Sequence, residues 1–209
     1  ICDKNPTVVS KILGEIEQFI NYPDEWIRLV TLEILYKISI YRPNDLLDLL
    51  DPIKERLWDK DSSVRSLSVK ILGTLINSTH LDLSEIGSDF ITKLNDVEWK
   101  VKLLTSKKIV KILTENPSKI KETDALIKNV VDNFREENEE IREFAGKIFK
   151  LLGFSSIIPK EEFFELIQNL LKDNNWRVRE TIIDIIGEVS SKYSSEIKDL
   201  IPQLINLLG

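Results

Sequence analysis

The chain has 209 residues with 29 Lys and Arg against 35 Asp and Glu, seven Gly, seven Pro, one Cys, one His and no Met. One cysteine excludes an internal disulfide and one histidine leaves little for a zinc site, no apolar run approaches the roughly 20 residues that span a bilayer, and an acidic balance argues against a nucleic-acid binder. Few Gly and Pro beside abundant Ile, Leu, Lys and Glu predict helices, the cysteine content predicts a reducing cytoplasm, and a start at Ile1 without Met predicts a piece of a longer chain.

Read from the N-terminus, apolar residues recur at helical spacing on both sides of short polar breaks, and the whole unit returns about every 37 residues. The pair Ile27-Arg28 in "WIRLVTLEIL" opens the register. Val64-Arg65, Val101-Lys102, Ile141-Arg142 and Val178-Arg179 repeat it at steps of 37, 37, 40 and 37. Eight residues before each basic position stand Ile20, Leu57, Leu94, Phe134 and Leu171; twelve before stand Ile16, Ile53, Phe90, Val130 and Ile167; seven after stand Leu35, Leu72, Ile109, Phe149 and Ile186. Each unit therefore reads as a helix A, a turn and a helix B, with these columns as core. Asp24, Asp61, Glu98, Asn138 and Asn175, four before the basic residue, are placed to accept from the free N–H groups of helix B. Glu98 is the weak cap, with Asp96 beside it to serve.

The three extra residues of the fourth step fall in "TENPSKIKETD", where Pro117 halts a helix and an insertion, not a domain boundary, is expected. Pro52 in "DLLDPIKERL" and Pro202 in "DLIPQLINLL" occupy matching places, each five residues before a leucine, Leu57 or Leu207. The chain is thus expected to end inside a sixth repeat, after its helix A, with eleven main helices in all.

The apolar helix A, the "D-x-x-x-V-R" turn of "DSSVR" (Asp61 to Arg65), the helix A proline and the Leu72-Gly73 of "ILGTL" resemble the HEAT repeat family, HEAT-like or phycobilisome-lyase-type variants included. The resemblance covers nearly the whole chain. It implies an all-α fold, an armadillo-like helical α-solenoid of about five and a half hairpins forming one domain over 1–209. It also implies a right-handed superhelix with A helices convex and B helices lining the concave side. Lys102 in place of Arg, and Leu32, Ile182 and Ile183 where small residues are usual, depart from the pattern.

Trp26, Trp99 and Trp176 at the turn into helix B are expected to pack over the joint between repeats, with a ligand-binding role as the alternative. Arg28, Arg65, Arg142 and Arg179 are expected to bond to carboxylates or carbonyls of an adjacent repeat. His80 and Cys2 have no partner for acid–base or nucleophilic work, and there is no Gly-rich phosphate loop or "G-x-S-x-G" elbow. No catalytic, metal-binding or cofactor-binding residue is therefore expected, and the chain reads as no enzyme. HEAT-like deoxyhypusine hydroxylases need His-Glu pairs that are missing here. A HEAT-like DNA-binding protein or alkylpurine DNA glycosylase is the alternative, because Lys100, Lys102, Lys107, Lys108 and Lys111 cluster in the third repeat.

Solenoids act through the side chains that stacking aligns on one face. Five residues after the basic position stand Glu33, Lys70, Lys107, Lys147 and Asp184. Lys70, Lys107 and Lys147, with Leu67, Leu104 and Phe144 beside them, are the candidate contact residues for a protein or acidic peptide. The expected function is a scaffold that binds a partner on its B-helix face.

Overall fold

The computed structural model describes residues 6–121 and 123–206, so Cys2 and Leu207 lie outside the described residues. Those residues form helices and turns without a strand. Helices A and B alternate: α1 (Pro6–Ile20) with α2 (Glu25–Tyr41), α3 (Leu50–Glu55) with α4 (Ser62–Ser78), and α5 (Leu83–Ile86) plus α6 (Ser88–Thr92) with α7 (Trp99–Glu115). Then come α8 (Asp124–Asn133) with α9 (Glu139–Phe154), α10 (Lys160–Leu170) with α11 (Trp176–Val189), and the closing α12 (Ser194–Asn206). The hairpins are those of an α-solenoid. The chain divides into two compact units, Ile1–Glu122 and Thr123–Gly209, here called units 1 and 2. Unit 1 holds three hairpins and unit 2 holds two and the closing helix.

Among the described residues twelve α-helices replace the expected eleven because the third A segment breaks at Gly87, whose φ of 88° suits only a residue without Cβ. Asp82 and Glu85 form a reciprocal cap at the start of α5, so the polar groups of this short helix are met locally. The second A segment also departs from a plain helix. Turns of 3-10 helix, Pro43–Leu49 and Arg56–Trp58, flank α3.

The B helices start where their caps dictate. Asp24 accepts from the N–H groups of Trp26 and Ile27, Asp61 from Ser63 and Val64, Asn138 from Glu140 and Ile141, and Asn175 from Arg177. Such a cap stabilises a helix by about 1 kcal/mol. Glu98 makes no such bond, and Asp96 accepts from the Glu98 N–H instead, at 3.0 Å.

The core columns are buried: Ile20, Leu57, Leu94, Phe134 and Leu171 on the A helices or the turns that close them, and Leu35, Leu72, Ile109, Phe149 and Ile186 on the B helices. Each contributes roughly 1.5–3 kcal/mol by leaving water. The loop where an insertion and not a boundary was expected, 114–124, holds the division between the units, and its residues up to Glu122 belong to unit 1. Lys119 donates to the carbonyls of Ile76 and Thr79 at the C-terminal end of α4, where a cation suits the helix dipole, and Lys121 pairs with Asp82.

Candidate functional site

The arginine column does two jobs, and one is common to all four members. Arg28 Nη1 donates to the carbonyls of Tyr22 and Pro23, Arg65 to Asp59 and Lys60, Arg142 to Glu136 and Glu137, and Arg179 to Asp173 and Asn174. Each guanidinium thus ties helix B to the turn of its own repeat, not to carbonyls of an adjacent one. The second job reaches forward. Arg28 forks onto Asp59 at 2.7 and 2.9 Å, and Arg65 onto Asp96 at 2.8 and 2.7 Å, each carboxylate lying in the next repeat.

These aspartates also shape their own turns, for Asp59 accepts from the Asp61 N–H as Asp96 does from Glu98. Burial pushes both carboxyls up, but the arginine bonds and turn N–H groups outweigh it and hold them below the usual range. Lys93 lies 3.7 Å from Asp96 with its ammonium 3.6 Å from the centre of the Trp58 ring. Burial holds this lysine below its ordinary value.

The tryptophans are not packed as expected. Trp26, Trp99 and Trp176 remain 67, 46 and 53 % exposed. Trp99 and Trp176 are the first residues of their helices, and the core residues Val101 and Val178 follow two positions later, which at about 100° per residue is the opposite face. A flanking cation covers each ring in part: Lys100 at 5.7 Å from Trp99 and Arg177 at 4.9 Å from Trp176.

Of the candidate contact residues, Lys70 and Lys107 lie in unit 1 and Lys147 in unit 2. Lys70 is half-buried with its ammonium 5.6 Å from the Tyr36 ring centre, and Lys107 is exposed. Leu104 is half-buried beside them, whereas Leu67 is 8 % exposed and belongs to the packing of α4. In unit 2, Lys147 pairs with Glu143 at 2.6 Å and sits 4.8 Å from the Phe144 ring centre. It lines a groove of about 490 Å³ between α9 and α11 with Glu139, Glu143, Glu180, Asp184 and Glu188. The surface of α4 and α7 in unit 1 therefore carries lysines where α2 has Glu33, and the groove between α9 and α11 in unit 2 is mainly acidic. Among the described residues no group of His, Cys, Asp and Glu could hold a metal ion, and no helix is long and apolar enough to cross a membrane.

One residue escaped the sequence reading except as a member of a charge cluster. Six positions after the basic column stand Ile34, Ile71, Lys108, Ile148 and Ile185. Lys108 is half-buried, its stem crosses Gly73 of α4, and its ammonium donates to Thr74 Oγ1 at 3.2 Å. Burial, then the neighbouring charges of Lys111 and Lys70, push it down to about 8. The lone lysine in a column of isoleucines was the signal that could have found it.

Residues 30–209 match the profile of the family described as "Sister chromatid cohesion protein PDS5 protein". No curated protein matches the sequence significantly. Among solved structures, Pds5 in the Pds5–Scc1 complex is 19 % identical with a TM-score of 0.65, over 99 % of this chain and 35 % of that one. Kap95p, in a structure with RanGDP, is 16 % identical with a TM-score of 0.71, over 95 % of this chain and 29 % of that one. A designed armadillo repeat protein in complex with the peptide (KR)4 is 19 % identical with a TM-score of 0.63, over 93 and 91 % of the two chains. The chain thus spans about a third of Pds5 and of Kap95p, and these likenesses carry the repeat fold.

Proposed function

The chain belongs to the PDS5 family of sister chromatid cohesion proteins, and from that premise we propose that it is a noncatalytic scaffold binding an extended segment of a partner protein. The carrying observation is the surface of α4 and α7, where Lys70 and Lys111 act on Lys108, and Lys107 and half-buried Leu104 share helix α7, in a chain of net charge −6. A local cationic field on an acidic protein favours an acidic partner and speeds its encounter. The reading takes 1–209 as one solenoid domain with this surface on its concave side, and extends the contact to Lys147 and Phe144. Support comes from the relatives: Pds5 is solved with Scc1, and the designed armadillo repeat protein with a peptide.

A cysteine-poor chain suits a reducing interior, either the cytoplasm or the chromatin on which a cohesion family acts. Tagged parent protein viewed in dividing cells distinguishes the two. The binding test is capture of an Scc1-like segment by the full parent chain and by a variant carrying Lys70→Glu, Lys107→Glu and Lys147→Glu, with unchanged circular dichroism. Loss of capture at low salt is expected. Capture undiminished by the charge reversal overturns the contact surface, and strong, steeply salt-dependent retention on duplex DNA would favour a nucleic-acid ligand instead.

A further inference from the structure

A lysine occupies a position that four other repeats fill with isoleucine, and three of those isoleucines, Ile71, Ile148 and Ile185, are buried. An ammonium at such a place loses hydration that an isoleucine never had, so it destabilises unless something compensates. The fold makes room for it. A Cβ on Gly73 would lie 2.8 Å from Cδ of Lys108, so the glycine opens the channel along which the lysine stem runs. At the end of that channel the only neutral partner among the described residues is the Thr74 hydroxyl. The charged groups acting on the ammonium are Lys111, on its own helix α7, and Lys70, on α4, which rests over Tyr36 of α2. Both are cations, and no carboxylate pairs with Lys108 among the described residues. Among the described residues Lys111 has a loose pair with Glu115, at 3.8 Å.

Three ammonium groups on two adjacent helices, one of them half-buried without a counter-ion, are complementary to an anionic side chain supplied from outside. We propose that Lys108, Lys70 and Lys111 form a subsite for a glutamate or aspartate side chain of an acidic partner peptide, with Lys108 as its base. This rests on the reading of the B-helix surface as a protein-binding face and names the chemistry that face selects. A carboxylate there supplies the missing counter-ion and opposes both influences that depress the Lys108 ammonium. The protonated form is thereby favoured in the complex over the free protein. Binding therefore takes up a proton near pH 8, and affinity is held below that pH and lost as pH rises through it.

The probe is a capped, fluorescein-labelled oligoglutamate peptide, measured by anisotropy against the full chain at low salt. Its affinity is expected to weaken about tenfold between roughly pH 7 and pH 9, a range in which exposed lysines keep their charge. Calorimetry in two buffers of different ionisation heat should report proton uptake near pH 8. Lys108→Ile restores the residue of the other repeats, so the variant should fold; it should bind more weakly and lose both the pH dependence and the proton uptake. Lys111→Gln should weaken binding yet keep them.

A Lys108→Ile protein that binds with unchanged affinity and pH profile overturns the subsite. So does inorganic phosphate that displaces the peptide at equal charge concentration, since the site would then be a general anion sink. Capture of an Scc1-like segment by the parent with no oligoglutamate binding at any pH overturns the subsite and leaves the scaffold reading intact; peptide binding without capture does the reverse.

Discussion

In unit 1 the arginine of one repeat forks onto the aspartate of the next, Arg28 to Asp59 and Arg65 to Asp96. In unit 2 Arg142 and Arg179 bond to the carbonyls of their own turns, Asp173 pairs with Arg135 at 2.5 Å, and rings supply much of the packing. Phe134, Phe149, Phe163, Phe164, Tyr193 and Phe154 follow one another with centroids 5.1 to 6.0 Å apart. Spacing does not explain the difference, because Arg142 precedes Asp173 by the same 31 residues that separate the two bonded pairs. The cations around the aspartate differ. In unit 1 Arg56 joins the fork on Asp59 and Lys93 lies beside the one on Asp96, whereas in unit 2 Arg135, seven residues before Arg142, bonds to Asp173 itself. One repeat plan thus accepts two kinds of joint, a directional ion pair or a cluster of rings without fixed direction.

The comparison breaks most sharply at its strongest joints. Arg65→Ala takes both fork bonds from Asp96, whose side chain is 3 % exposed, leaves it Lys93 at 3.7 Å and the Glu98 N–H, and should destabilise unit 1 by about 3 kcal/mol. The combined change Arg65→Met, Lys93→Met and Asp96→Leu, which leaves no buried charge behind, should recover most of that loss. Phe149→Ala should cost unit 2 a similar ~3–5 kcal/mol. Trp176 is the one tryptophan of unit 2, so denaturant melts of a variant with Trp26, Trp58 and Trp99 changed to Phe report on that unit. If Arg65→Ala shifts the Trp176 transition as far as the global one, the joints do not act locally as neighbour contacts should.

Leu57→Ala and Ile109→Ala, both fully buried in unit 1, should each cost roughly 2–5 kcal/mol. Unchanged melts would remove these columns from the core. Acid should separate the units next. Asp59 and Asp96 are held low in the folded state, so the stability they lend is present above the ordinary carboxylate range and is lost as pH falls through their folded values, below about pH 4. Unit 2 has Glu196 held to about 2 by Lys160, but in an exposed pair. Added salt should blunt the acid response of unit 2 and spare that of unit 1. The smallest effect expected is Arg135→Ala, at about 0–1 kcal/mol, since its pair with Asp173 is exposed.

The repeat register, the core columns and four caps were legible because each recurs at fixed offset and obeys helical periodicity. The break at Gly87 was not, since one residue of positive φ leaves no periodic trace. The exposure of Trp99 and Trp176 was missed because position in a repeat was read without the helical face it implies. The Arg–Asp joints needed a second column, Asp59, Asp96 and Asp173, that only becomes meaningful when two repeats are stacked. Lys108 was counted for its charge, while its burial follows from the isoleucines that share its place and from Gly73 opposite.

The bond from each arginine to its own turn has a consequence for how such a chain can change over generations. The receiving residues are Tyr22, Pro23, Asp59, Lys60, Glu136, Glu137, Asp173 and Asn174, and what they offer is a carbonyl that every amino acid carries. The turn is closed by a side chain at one position acting on main chain at two others. For this bond those two can be aromatic, imino, acidic or basic, and even proline is admitted, although Asp59 is also held by the fork from Arg28. What a lysine cannot supply is the fork onto the next repeat's aspartate at Arg28 and Arg65, and the third repeat, with Lys102, stands outside that requirement. Saturation mutagenesis should find Arg28 and Arg65 less tolerant than Tyr22, Pro23 and Lys60 just before them, a pattern that lets new surfaces arise at the turns while the hairpin beneath them stays the same.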